Sequence, residues 1–147
     1  MNVEDKSVEP AIAPVLGTRA ETRTFGPMTP EMFVVYSGAA GDLNPMHYDR
    51  DFAQRAGYPS IFAQGMLSAA LLSTFATDWL GPNNIRRFHV RFRDIVWPGD
   101  ELTCSGEVTK TQRHADGTLV SISLSMMRQT GDTALQGEAD FLVPQAY

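Results

Sequence analysis

Apolar residues between Gly65 and Leu80 occupy nearly the whole circumference of a predicted helix. They are Met66, Leu67, Ala69, Ala70, Leu71, Leu72, Phe75, Ala76, Trp79 and Leu80. A helix that is apolar on all sides either spans a membrane or is buried in protein, and this one is too short to cross a bilayer. Gly81 and Pro82 end it. The pattern therefore predicts one central helix, buried on most sides.

Four segments downstream of this helix alternate apolar and polar residues with a period of two, which is typical of strands with one buried face. Their apolar positions are Phe88, Val90 and Phe92; Leu102, Cys104 and Val108; Val120, Ile122, Leu124 and Met126; and Leu135, Ala139, Phe141 and Val143. Turn residues at 98–100, 115–117 and 131–132 favour an antiparallel meander. Helices followed by strands indicate an α+β class. We expect a hot-dog fold, in which a curled antiparallel sheet wraps round the central apolar helix.

Prolines and glycines divide the chain before that helix. Residues 1–17, which contain two prolines among small residues, are expected to form a flexible arm, and 18–147 a single folded domain. A short strand is predicted within Thr18–Phe25. Thr29 followed by Pro30 is a helix N-cap with proline at the first helical position.

A loop between this first helix and a short helical segment at 51–56 carries Asp42 and His47. Pro45 keeps the residue before it out of the helical region, so the loop has a defined, extended backbone. A carboxylate and an imidazole held on one loop suit acid–base chemistry near neutral pH. The same sequence is also ordinary turn chemistry. Asn44 either ties the loop together by bonding the backbone or His47, or is a plain turn residue.

Composition excludes several classes of protein. The net charge of −5 argues against nucleic-acid binding, and the N-terminus shows no apolar signal-peptide core. A single cysteine, Cys104, excludes an internal disulfide and fits a reducing compartment. We expect a cytoplasmic protein that does not enter a membrane. The three histidines have no metal-ligand spacing, so we expect no metal.

Three motifs together resemble the MaoC-like family of (R)-specific enoyl-CoA hydratases and dehydratases. Tyr36–Asp49 is similar to the family's hydratase signature, Phe62–Met66 to the start of its central helix, and Val96–Leu102 to its strand-ending turn. The resemblance covers 18–143. Family members usually carry histidine before the helix-opening glycine, where this chain has Gln64.

The resemblance implies an (R)-specific 2-enoyl-CoA hydratase, or 3-hydroxyacyl-thioester dehydratase, that adds water syn. Asp42 and His47 match the family's catalytic dyad. We expect His47 to be the base and Asp42 to orient the water and relay the proton, although coupled groups titrate as a pair and the sequence leaves this division open. The substrate would be an acyl-CoA or acyl-carrier-protein thioester. No cofactor is implied beyond the coenzyme A of the substrate.

Two residues at the start of the central helix are expected to bind the thioester. Gly65 lacks a Cβ and offers a backbone N–H at the positive end of the helix, although close helix packing would also explain a glycine there. Gln64 can donate a further hydrogen bond. Ser73 aligns with a family serine near the catalytic carboxylate, so we expect it to bond Asp42. Ser68 and Thr74 are alternatives to Ser73.

Arg86, Arg87, Arg91 and Arg93 are four of the twelve cationic residues, within eight positions of an acidic chain. Strand spacing puts Arg87, Arg91 and Arg93 on one polar face, which suits the phosphates of coenzyme A or a phosphopantetheine carrier. A solvated or dimer-facing strand edge would carry the same residues.

The resemblance further implies a homodimer, in which the second copy completes the acyl channel. Two alternatives remain open. A hot-dog thioesterase would need an acidic residue on the central helix, and Asp78 is the acidic residue there. The chain could also be one subunit of a heteromeric dehydratase whose partner supplies the chemistry.

Overall fold

The computed structural model describes residues 13–145, so most of the expected arm at 1–17 lies outside the described residues. The helices are α1 (Pro30–Ala40), α2 (Arg50–Arg55) and α3 (Gly65–Leu80), with a 3₁₀ turn at Pro45–His47, and the strands are β1 (Arg23–Phe25), β2 (Ile85–Phe92), β3 (Leu102–His114), β4 (Gly117–Arg128) and β5 (Thr133–Val143). Within the arm, Ala13 packs against the core and the Gly17 N–H donates to the Val108 carbonyl at 2.9 Å.

All five strands form one antiparallel sheet in the order β1-β3-β4-β5-β2. The predicted meander is correct for β3, β4 and β5 but wrong for β2, which pairs with β5. The reason is that both edges of β3 are occupied, one by β4 and the other by β1 through pairs such as Arg23 with Cys104. The free edge of β5 is the place left for β2. Both β1 and β2 are edge strands of this single chain.

Helix α3 lies against the apolar face of the sheet, with Leu72, Phe75 and Ala76 buried. A Cβ on Gly106 of β3 would lie 3.2 Å from the Trp79 ring, so glycine allows the helix this close to the sheet. The helix bounds agree with the prediction. Its burial does not agree fully, because the face that carries Met66 is exposed, with Met66 60% exposed in the single chain.

The first helix is also formed by local signals. The Thr29 hydroxyl accepts from the Met32 N–H at 3.3 Å, Pro30 follows it, and Gly41 ends the helix with a left-handed φ of 68°. Asp42 therefore directly follows α1. The curled five-stranded antiparallel sheet round α3 confirms the α+β hot-dog fold. None of the helices in 13–145 is long and apolar enough to cross a membrane.

Candidate active site

The loop after α1 is held by its own side chains. Asp42 Oδ1 accepts from the Asn44 N–H at 3.3 Å, and Asn44 Oδ1 accepts from the Met46 N–H at 3.2 Å. Asn44 has an extended ψ of 119°, which Pro45 requires, and Pro45 starts the 3₁₀ turn that ends at His47. The Asn44 side chain thus bonds the backbone and not the imidazole.

This turn brings His47 Nε2 to 3.7 Å from Asp42 Oδ2. His47 is 9% exposed at its side chain, whereas that of Asp42 is 43% exposed and open to solvent. His47 Nδ1 lies 2.8 Å from the Phe62 carbonyl oxygen. Because a carbonyl can only accept, Nδ1 carries the hydrogen, and in the neutral imidazole Nε2 is left as an acceptor.

The separation of Nε2 and Oδ2 exceeds the range of a direct hydrogen bond. Both atoms are acceptors, so a water molecule between them can donate one hydrogen to each. The arrangement therefore suits the binding of a single water by a base and a carboxylate.

Aromatic rings cover the buried side of His47. The Phe62 ring packs edge-on against the imidazole at 5.2 Å, and Tyr58 and Trp97 pack on Phe62 at 4.8 and 5.9 Å. The Tyr48 hydroxyl donates to the Leu43 carbonyl at 2.9 Å, which secures the loop on its other side. The imidazole is thus fixed on one face and open towards Asp42.

Helix α3 begins three residues after Phe62, so its N-terminus belongs to the segment that orients His47. Within residues 13–145 no side chain caps it, and the first N–H groups of a helix have no partner within the helix. A Cβ on Gly65 would lie 3.0 Å from the Phe92 ring. Gly65 therefore packs closely against Phe92, and its N–H has no partner within the helix.

The MaoC-like domain model matches residues 12–128, well over half of the chain. The chain belongs to the MaoC-like family. The Asp42–His47 loop and the start of α3 both lie within the matched residues.

Curated relatives of this MaoC-like domain include larger enzymes. It is 32% identical over 128 residues to a fatty acid synthase subunit beta of Gibberella zeae. The aligned region covers 84% of this chain but 6% of that protein. It is 26% identical over 110 residues to the mitochondrial 3-hydroxyacyl-[acyl-carrier-protein] dehydratase FERN of Solanum lycopersicum, covering 74% of this chain and 66% of that one. The chain thus spans only a small part of the fatty acid synthase subunit and about two thirds of the dehydratase.

The structure of the (R)-hydratase from A. caviae involved in PHA biosynthesis superposes on this chain with a TM-score of 0.79 at 26% identity. The match covers 91% of this chain and 100% of that one. The hot-dog fold of the MaoC-like domain is thereby shared over the whole of a known hydratase.

Gln64, the residue before the helix-opening Gly65, is 1% exposed. Its amide nitrogen donates to the Phe33 carbonyl at 2.9 Å and lies 2.8 Å from the Ser37 hydroxyl, both on α1. Its Oε1 is buried without a partner among residues 13–145. In this conformation neither amide hydrogen of Gln64 is free for a thioester, and the side chain joins α1 to α3.

Ser73 does not form the expected hydrogen bond with Asp42, and within 13–145 no such bond joins them. Ser73 lies eight residues beyond Gly65, about 12 Å along the helix at 1.5 Å per residue. Of the two alternatives, Thr74 bonds the Ala70 carbonyl at 2.9 Å and Ser68 is buried.

Arg87 is already paired with carboxylates of β5. Its Nε lies 2.6 Å from Asp140 Oδ2 and its Nη2 lies 3.7 Å from Glu138. The hydrogen bond to Asp140 is the main reason that the pKa of Arg87 is raised, and the same bond lowers the pKa of Asp140. A phosphate would have to compete with these two carboxylates.

Arg91 and Arg93 line a groove of about 770 Å³ on the sheet face opposite α3, together with His89 and Gln136. Arg93 Nε donates to Gln136 Oε1 at 3.0 Å. Within one chain the sheet therefore separates these two arginines from the dyad, and their role in binding phosphate stays a prediction.

Cys104 is buried on the apolar face of β3, and burial raises the pKa of its thiol to about 12. It is not a nucleophile at neutral pH. Within residues 13–145 no group of three or more His, Cys, Asp or Glu side chains is arranged to hold a metal ion.

Proposed function

We propose that this MaoC-like domain is an (R)-specific 2-enoyl-CoA hydratase, or 3-hydroxyacyl-thioester dehydratase in the reverse direction. The family and its hydratase and dehydratase relatives support hydro-lyase chemistry. The observation that supports the finer proposal most is the 3.7 Å gap between the bare Nε2 of His47 and Oδ2 of Asp42. A water held there has its oxygen directed outwards.

In the proposed reaction His47 Nε2 takes a proton from the water as its oxygen bonds to Cβ of the enoyl thioester. Asp42 orients the water and relays the proton taken by Nε2 to Cα on the same face, which leaves both side chains in their starting states. One hydroxyl and one hydrogen are thereby added syn across the double bond. In dehydration the same groups act in reverse, as microscopic reversibility requires.

Negative charge that develops on the thioester oxygen would be bound by the N–H groups at the start of α3. The helix dipole favours an anion there, and Gly65 allows a close approach. Loss of a comparable oxyanion donor costs about 2.7–4 kcal/mol of activation free energy in other enzymes.

We further propose that the substrate is an acyl-CoA or acyl-carrier-protein thioester, that the enzyme is a cytoplasmic homodimer and that it needs no cofactor. The edge strand β2 and the exposed Met66 and Phe92 beside Gly65 support a second copy at this face. The thioesterase alternative has less support, because Asp78 is paired with Arg23 at 2.7 Å, near the opposite end of α3.

The first prediction tests the dyad by hydration of crotonyl-CoA, followed by loss of enoyl-thioester absorbance. We expect an (R)-3-hydroxyacyl product from the purified chain alone and a loss of activity of at least about 100-fold in His47→Ala and Asp42→Asn. His114→Ala and Asp51→Asn make the same chemical changes outside the site and should retain activity.

Release of free thiol without hydration would favour the thioesterase. Hydration that appears only with a second protein would favour the heteromeric dehydratase. Full activity in either dyad variant would contradict the mechanism.

A further inference from the structure

The carbonyl that orients His47 belongs to a peptide group that is hydrogen-bonded at both ends. The C=O of Phe62 accepts from His47 Nδ1 at 2.8 Å. The N–H of the same peptide group, that of Ala63, donates to the Val96 carbonyl at 2.9 Å. His47 is therefore connected through one peptide group to the turn that follows β2.

The next peptide group continues the chain of hydrogen bonds. Its C=O is that of Val96, which accepts from Ala63, and its N–H is that of Trp97. The Trp97 N–H donates to Asp100 Oδ2 at 2.8 Å. Three hydrogen bonds and two peptide groups thus connect the imidazole of His47 with a carboxylate.

Asp100 is one of the few buried charged residues, with 3% exposure. Arg128 donates to it through Nε at 2.7 Å and Nη2 at 3.3 Å, and Gln129 Nε2 donates at 2.9 Å. Burial would raise the pKa of Asp100, but the hydrogen bonds from Arg128, Trp97 and Gln129 outweigh it, and the pKa is lowered. Asp100, at which this series of hydrogen bonds begins, is thus an anion at neutral pH.

Hydrogen bonds through amides reinforce one another. An N–H that donates to an anion pushes electron density through the amide onto its own carbonyl oxygen and makes that C=O a stronger acceptor, by roughly 10–30% per bond. The direction is the same at every step from Asp100 to His47. The result is a stronger bond on Nδ1–H, and an imidazole whose Nδ1–H is strongly bound is a stronger base at Nε2.

We propose that Asp100 is a positioning residue for His47, acting through the Val96–Trp97 and Phe62–Ala63 peptide groups. It holds the tautomer with hydrogen on Nδ1 and increases the basicity of Nε2. The Trp97 ring packs on the Phe62 ring at 5.9 Å, so the same two segments are also joined by side chains. The inference rests on the proposed function, in which Nε2 is the base.

A pair of variants separates this role from simple support of the turn. Asp100→Asn removes the anion at the start of this series of hydrogen bonds, whereas Arg128→Lys disrupts the two-atom contact of Arg128 with Asp100 but keeps a cation beside the carboxylate, so that Asp100 stays charged. In protein labelled with ¹⁵N-histidine, the Nδ1 proton resonance of His47 reports the strength of its bond to Phe62.

We expect this resonance to move upfield in Asp100→Asn and not upfield in Arg128→Lys. An upfield shift in both would mean that the ion pair only supports the turn and would overturn the proposal, as would no shift in Asp100→Asn. The measurement needs no substrate, so it stands even if crotonyl-CoA is not hydrated.

Kinetics give a second readout. We expect kcat of Asp100→Asn to fall about ten-fold with KM changed less than about two-fold, because the loss falls on the base and not on binding. Val120→Ala, in the core of β4 at the end away from Arg128, is the control for lost stability and should keep its kcat below its melting temperature.

If Asp100→Asn does not fold, the series of hydrogen bonds can still be tested in the unmodified protein. The amide protons of Ala63 and Trp97 should resonate downfield of ordinary loop amides and exchange slowly with solvent. Fast exchange at either amide would show that the chain is broken and would overturn the proposal.

Discussion

At the scale of single residues, the chemistry of the candidate site depends on which atom of each side chain is used. Nδ1 of His47 donates its hydrogen to the Phe62 carbonyl, and Nε2 stays free to accept from the proposed water. Both amide hydrogens of Gln64 are donated to acceptors on α1. Within residues 13–145 the start of α3 has no side-chain cap. A side chain that capped α3 would occupy the N–H groups proposed for the thioester oxygen.

Gly65→Ala tests the proposed oxyanion site. The added Cβ would lie 3.0 Å from the Phe92 ring and would narrow the approach to the first N–H groups of α3. We expect kcat/KM for crotonyl-CoA to fall by about ten-fold or more. The unfolding free energy should change little, since the Phe92 ring is the end of a half-exposed side chain.

Gly38→Ala is the matched control. Gly38 lies in α1, and a Cβ there would have no neighbour within 4 Å. We expect it to stabilise the protein by about 0.5–1 kcal/mol with unchanged kcat/KM. Equal activity losses in both variants would contradict the assignment of Gly65.

At the scale of elements, α1 and α3 are joined by one buried side chain. Gln64 bonds partners 31 and 27 residues earlier in the chain, and α1 ends directly before Asp42. The position of the carboxylate relative to the start of α3 therefore depends on this contact between two helices.

We expect Gln64→Leu to lower the unfolding free energy by about 1–3 kcal/mol, because the buried Ser37 hydroxyl loses its partner. kcat should fall as well, since α1 and the loop lose their fixed position. Chemical denaturation and crotonyl-CoA turnover measure the two effects. Gln54→Leu, which removes an exposed amide, should change neither.

At the scale of the whole molecule, buried and half-buried ion pairs join distant parts of the sheet. Arg128 of β4 bonds Asp100 and Asp94 before β3, and Arg87 of β2 bonds Asp140 of β5. Burial would raise the pKa of Asp100, but the hydrogen bonds from Arg128 and its other donors outweigh burial, so this pKa is lowered. The pKa of Asp140 is lowered chiefly by Arg87.

A lowered pKa in the folded state means that the unfolded chain binds more protons as the solution is acidified. The stabilisation from Asp100 and Asp140 is therefore complete well above about pH 4 and is lost as the pH falls below it, through the folded pKa values. We expect the unfolding free energy to decrease in that range.

Denaturant titrations between pH 7 and pH 3 measure this dependence. The difference between the unmodified protein and Asp100→Asn should narrow towards the acidic end, because the unfolded chain binds a proton at Asp100 before the folded protein does. A difference that stays constant with pH would show that the charge of Asp100 does not contribute to stability.

The predictions that succeeded depend on neighbours in the chain. Period-two alternation marked the buried faces of β3, β4 and β5, and Gly81 marked the end of α3. The prediction that was wrong, the meander through β2, concerned the pairing of strands far apart in the chain. The expected partners of Ser73 and Gln64 also depend on distant residues, and in the structure Gln64 bonds α1.

The sequence by itself determined the main helices and strands and the extended conformation of Asn44, but not the 3₁₀ turn at Pro45–His47, because caps, prolines and apolar periodicity act within one or two turns of chain. Pro45 alone requires an extended Asn44, and so places Asp42 and His47 on one rigid loop. Only the tertiary structure decided which nitrogen of His47 carries no hydrogen and which hydrogen bonds connect His47 with Asp100. Both depend on backbone groups of Phe62 and Val96, whose positions are set by packing between segments far apart in the chain.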